Sequence, residues 1–207
     1  MRRYGRDTPE FARVANLSDA VFAIAMTLLV LALEAPDVPA ERLAAALAAE
    51  VPQYVAFVLS FVLVANVWWA HHKFFGLLAW LEPWIIGLNL GLLGLVALVP
   101  FPTSLIGAAP TAGAAVVPFV ALFVLVHVVF LVLLVRAHAL RAWRIPMPRG
   151  LYPWLVAGWL GHLSLMVVAL AVALVWPIGG LVLAAASGTA VGIAMGVLAP
   201  RAYAEWG

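Results

Sequence analysis

Long apolar runs alternate with short polar or proline-bearing breaks along the whole chain. Each run approaches the roughly 20 residues that carry a helix across the hydrocarbon core of a bilayer. Six transmembrane helices are predicted, over residues 14–33, 51–70, 81–101, 114–135, 153–175 and 177–198. Their connections are short, so the pattern predicts an all-α integral membrane protein with a single domain over residues 1–207. Pro36 and Pro39 end the first helix, and the alanine-rich stretch from Glu41 to Glu50 is expected to run helically into the second. Glycines 87, 91 and 94 in the third span, and 188, 192 and 196 in the last, form small faces that let helices approach closely. Those faces speak of packing within or between subunits.

Composition agrees with the pattern. Of 207 residues, 67% are hydrophobic and 10% charged, whereas a soluble domain is about one quarter charged. Arg2, Arg3, Arg6, Arg13, Lys73, Arg136, Arg141, Arg144, Arg149 and Arg201 flank the spans on one predicted side, against Arg42 on the other. The positive-inside rule therefore predicts that both termini are cytoplasmic. A basic chain raises the question of nucleic acid, but charges placed between hydrophobic spans act as topology signals, so no nucleic-acid partner is expected. The acids Glu34, Asp37, Glu41 and Glu50 collect on the opposite side and read as a solvated loop. No cysteine is present, which excludes disulfides and thiol chemistry. A cleaved leader is not expected, because the first span is too long for one and opens with Ser18-Asp19.

Polar residues in apolar spans are costly and therefore informative. In the first span, helical geometry puts Ile24, Thr27, Leu28 and Leu31 on one stripe, with Asp19 more than about 100° away. If the stripe faces a pore, Asp19 points into protein and needs partners, for which Arg13, Trp68, His71, His72 and Asn89 are available. Physics alone first reads Ser18-Asp19 as a helix cap. His71 and His72 are adjacent and so point to different helix faces, which suits interfacial anchoring better than metal binding. His127 and His162 fall near mid-membrane, each the lone histidine of its span. A neutral histidine hydrogen-bonded between helices is favoured there over a proton relay. No serine–histidine–acid set, phosphate-cradling glycine loop or carboxylate pair is evident, so an enzyme is not expected, nor a cofactor.

Arg13-x-x-x-Leu17-Ser18-Asp19, followed by Ala-Val-Phe-Ala-Ile-Ala-Met-Thr-Leu-Leu-Val-Leu, resembles the signature of the transmembrane protein 175 family. Trp68-x-x-His71-His72-x-x-Phe75 and Asn89 with Pro100-Phe101-Pro102-Thr103 add to the resemblance, while Leu17 stands where the family has phenylalanine. These are potassium channels of endosomes and lysosomes, with bacterial homologues. The resemblance implies a multi-pass protein of a bacterial inner membrane, a homotetramer of six-helix subunits with helix 1 lining the pore, and passive conduction of potassium and possible other monovalent cations. It implies a hydrophobic constriction at Ile24, apolar layers at Leu28 and Leu31, and transient potassium near a threonine layer at Thr27. It further implies that Arg13, Ser18 and Asp19 pin helix 1 to its neighbours through Trp68, His71, His72 and Asn89. No carbonyl-type selectivity filter is present in the sequence. The alternative is a secondary transporter or proton-coupled carrier using His127, His162 and Asn89 as a mid-membrane polar site. A structural subunit without conduction is a third reading.

Overall fold

The computed structural model describes residues 3–148 and 150–197. Arg2, Arg149, Leu198 and Arg201 lie outside the described residues.

Helix α1 (Pro9–Leu28) starts earlier than the hydropathy predicts. Thr8 is its N-cap and accepts from the Phe11 amide at 3.4 Å, with Pro9 supplying a pre-set first turn. Ser18-Asp19 therefore lies well inside the helix, and the reading of that pair as a cap is corrected. After Leu28 the chain tightens into a 3-10 turn, Leu29–Ala32.

The short exposed helix α2 (Ala40–Ala49) does not run on into the second span. A turn at Glu50 separates it from α3 (Val51–Leu77). Pro52 lacks an N–H and restricts the residue before it, so continuous helix across this point is disfavoured. α3 continues seven residues past the predicted end at Ala70, because hydropathy marks the membrane and not the end of backbone hydrogen bonding.

The third span is two helices, α4 (Pro83–Leu98) and α5 (Pro100–Ala108). Pro100 and Pro102 remove two amide donors at the junction. The Thr103 hydroxyl bonds to the Val99 carbonyl and to Ser60 of α3, both at 2.8 Å, which ties the junction to its neighbour. Gly107 lets α5 lie close to α3, since a Cβ there would stand 3.2 Å from the Gln53 Cα. Gly87, Gly91 and Gly94 meet nothing within 4 Å of an added Cβ, so their face is not used inside the protomer.

α6 (Gly113–Ala139) is apolar around most of its circumference and packs against α4, α5, α7 (Leu151–Ala173) and α8 (Pro177–Val197). It closes in a Schellman motif. The Ala142 amide donates to the Ala137 carbonyl at 3.0 Å and the Arg141 amide to the His138 carbonyl at 2.9 Å, with Arg141 in the left-handed conformation at φ 54°.

Among the described residues, five helical segments, Pro9–Ala32, Val51–Leu77, Pro83–Ala108, Gly113–Ala139 and Leu151–Ala173, are long and apolar enough to cross a membrane. The apolar helix α8 follows them. The protein is thus an all-helical, multi-pass membrane protein.

Three chain segments meet at one end of the bundle. Strand β1 (Tyr4–Gly5) pairs antiparallel with β2 (Trp80–Leu81), and Leu78 bridges to Trp143. Arg6 donates to the carbonyls of Phe75, Gly76 and Leu78 at 3.2, 2.9 and 3.3 Å. It thereby satisfies the free C-terminal acceptors of α3 and places positive charge at the negative end of that helix. Arg136 of α6 meets the buried Glu82 carboxylate at 2.7 Å through both Nε and Nη2.

Candidate functional site

α1 has two distinct faces. Phe11, Ser18, Phe22, Ala25 and Leu29 are buried, and from Ser18 onward they recur at steps of four, three and four residues. This stripe packs on α3 and α4. Ile24, Thr27, Leu28 and Leu31 lie elsewhere on the helix and are all exposed in the protomer, Ile24 at 57% and Leu31 at 71%. The 3-10 turn brings Leu31 almost directly above Leu28, since residues three apart eclipse in that geometry. Thr27 Oγ1 donates its hydrogen to the Ile24 carbonyl at 2.9 Å. Its remaining lone pairs are therefore the part of the hydroxyl left for an outside ligand.

The buried face carries a hydrogen-bond relay of fixed direction. Ser18 donates to the Val14 carbonyl at 2.9 Å, so its oxygen must accept from Asn89 Nδ2, also at 2.9 Å. The Asn89 carbonyl oxygen then faces His71 Nε2 at 2.8 Å and must accept from it. A neutral His71 with hydrogen on Nε2 satisfies every member. His71 also stacks on Phe75 with centroids 4.3 Å apart. These interactions place His71 in the interior, so its reading as an interfacial anchor is corrected. Burying Asn89 and Ser18 is tolerable because all their partners are supplied.

At the edge of this relay, Trp68 Nε1 donates to Asp19 Oδ1 at 2.9 Å. Asp19 is exposed, which corrects the expectation that it points into protein; Ser18 is the residue that does. His72 is also exposed and stacks against Trp69, while Lys73 lies over the Trp69 ring at 5.1 Å. Arg13 is exposed and makes no hydrogen bond or ion pair among the described residues. Arg6, which nothing in the sequence singled out, ties the start of α1 to the end of α3 instead. Its only sequence signal was a basic residue shortly before a helix start.

His127 and His162 form a second cluster. His127 Nδ1 donates to the Phe123 carbonyl at 2.6 Å, its Nε2 lies 3.1 Å from His162 Nδ1, and His162 Nε2 lies 3.1 Å from Ser187 Oγ. Each is the lone histidine of its predicted span, but they are partners of one another. Asn89 belongs to the first cluster, so the carrier reading, which groups it with these two histidines, does not find its site assembled.

The sequence profile described as endosomal/lysosomal potassium channel TMEM175 matches residues 13–100. A potassium channel of Streptomyces collinus is 41% identical over 98 residues, covering 47% of this chain and 48% of its own. A potassium channel of Chamaesiphon minutus is 37% identical over 127 residues, covering 58% of this chain and 63% of its own. The chain thus spans about half to five-eighths of the length of these curated relatives. Among solved structures, a lysosomal potassium-selective channel TMEM175 homolog from Chamaesiphon minutus superposes with a TM-score of 0.79 at 27% identity, covering 90% of this chain and 98% of that one. The segment that holds the Ser18–Asn89–His71 relay thus matches the TMEM175 family model, and over nine tenths of its length the chain shares the fold of a TMEM175 homolog.

Proposed function

We propose that this protein is a potassium-permeable cation channel that conducts passively along α1. The observation that carries this reading is the division of α1 into a buried, hydrogen-bonded face and an exposed face bearing Ile24, Thr27, Leu28 and Leu31. Its support is the likeness to relatives named as potassium channels.

On this reading residues 1–207 form one six-helix domain, with α8 as the sixth span and both termini cytoplasmic. Four subunits bring their α1 helices around a central pore in a bacterial inner membrane. Rings of Ile24, Leu28 and Leu31 form an apolar constriction that sheds water and blocks ions when narrow. Thr27 oxygens replace part of the hydration shell of a passing cation, because their hydrogens are committed to the Ile24 carbonyl. Ser18, Asp19, Trp68, His71 and Asn89 hold α1 against α3 and α4, with His72 and Arg13 at the rim. No catalytic step and no resident cofactor enter this account.

The test is potassium flux from liposomes carrying the purified protein. Wild type releases potassium down its gradient without a co-ion, and Ile24→Asn, which wets the constriction, releases it faster. Absence of flux in both proteins overturns the channel reading, and flux that requires a co-ion restores the carrier.

A further inference from the structure

A cavity of about 300 Å³ lies between α3, α6, α7 and α8, outside the relay that holds α1. Leu63, Val67, Phe123, Leu155 and Trp159 give it apolar walls. Its polar lining is Asn66, His127 and His162, together with the indole of Trp154.

Along one wall runs a chain of four short contacts that begins and ends on a carbonyl oxygen. They are Phe123 O to His127 Nδ1 at 2.6 Å, His127 Nε2 to His162 Nδ1 at 3.1 Å, His162 Nε2 to Ser187 Oγ at 3.1 Å, and Ser187 Oγ to Ala184 O at 2.8 Å. Carbonyl oxygens only accept, so four hydrogen bonds require four hydrogens from the groups between them. Two neutral imidazoles and one hydroxyl carry three. The neutral chain must leave one link without a hydrogen, or turn the serine hydroxyl away from Ala184. One added proton fills every link at once.

The Ser18–Asn89–His71 relay is complete with a neutral imidazole, so the deficit is particular to this cluster. We infer that the His127–His162 pair is a proton-binding site, taking up one proton that both rings share and that joins α6 and α7 to α8 through Ser187. With that proton in place, His162 Nε2–H donates to Ser187, Ser187 donates to Ala184, and a single hydrogen lies between the two facing ring nitrogens. The charge belongs to the pair, because moving that hydrogen from one ring to the other leaves every other bond unchanged.

Polar and aromatic side chains surround the pair. The Trp159 ring lies 5.5 Å from the His127 ring, centroid to centroid, and is tilted by 50° to it. Around the pair, α3 presents Asn66, α7 presents Trp154 and Trp159, and α8 presents Ser187 and Gly188. No aspartate, glutamate, lysine or arginine lines the cavity among the described residues, so the two histidines are its titrating groups. Asn66 of α3 is exposed and adds a carboxamide to the lining of the cavity.

The test is ring-nitrogen magnetic resonance of the full-length protein in lipid bilayers with 15N-labelled histidine, read from about pH 8 to about pH 4. One proton is expected to be taken up by the pair, with both ring spectra changing together, and His162→Gln should abolish the change at His127. Ser187→Ala removes one acceptor of the charged form and should lower the proton affinity about tenfold, or about one pH unit. Gly188→Ala is the packing control: its added methyl would lie 3.8 Å from His162 Cε1, an ordinary contact, and should leave the titration in place. Rings that stay neutral throughout the range in folded protein overturn the site. So does a His127 signal indifferent to His162→Gln, or a loss in Gly188→Ala equal to that in Ser187→Ala.

Discussion

Asn89 Nδ2 donates to Ser18 Oγ at 2.9 Å, joining the centre of α4 to the buried face of α1. The direction of the bond follows from Ser18 having already given its one hydrogen to Val14. Asn89 then has its oxygen free for His71 of α3, so one carboxamide holds three helices in register.

Replacing Asn89 with leucine leaves both Ser18 and His71 without their buried partner. The expected loss is about 2–4 kcal/mol, two desolvated groups at roughly 1–2 kcal/mol each. Ser18→Ala should cost less, about 1–2 kcal/mol, because it orphans only the Asn89 amide. Thermal or denaturant unfolding in detergent measures both, and the double variant should fall short of the sum because the two share one bond.

Arg136→Met removes the partner of Glu82, whose carboxylate is 2% exposed. An uncompensated buried carboxylate costs about 3 kcal/mol or more when its partner is deleted. The expected outcome is a clear fall in unfolding midpoint, partly recovered by Glu82→Gln in the same protein. No recovery would show that Arg136 acts through packing of its stem and not through the ion pair.

Arg6→Gln shortens the reach to the Phe75, Gly76 and Leu78 carbonyls and removes the positive charge at the end of α3. A loss of about 1–2 kcal/mol is expected. Because the damage is local, hydrogen exchange should accelerate in residues 76–81 and at the β1–β2 pairing while the interior of α6 stays protected.

Thr27→Val keeps the shape of the side chain and removes the oxygen. Under the proposed channel function, potassium preference over sodium should fall roughly threefold, equivalent to ~0.7 kcal/mol, within the range of a single neutral polar contact. Bi-ionic reversal potentials report it directly. Unchanged selectivity removes Thr27 from the conduction path.

The chain's own pattern determined that it is a helical membrane protein, and the spacing along α1 separated Ile24, Thr27, Leu28 and Leu31 from Asp19. Hydropathy and helical period are local properties, carried by neighbours within a few turns. The motif residues Trp68, His71 and Asn89 were legible as candidates because polar groups in apolar spans require a reason. Tertiary structure decided which of them are partners. It buried Ser18 and left Asp19 at the rim, gave Arg6 the tie that Arg13 does not make, and broke the chain at Glu50 and again between Leu98 and Pro100. It also set His127 against His162, 35 residues apart in sequence, and Ser187 beyond them. Such pairings depend on the rotation and depth of whole helices against one another. Those are fixed by packing summed over many residues, whereas one helix's sequence records only which of its faces are apolar.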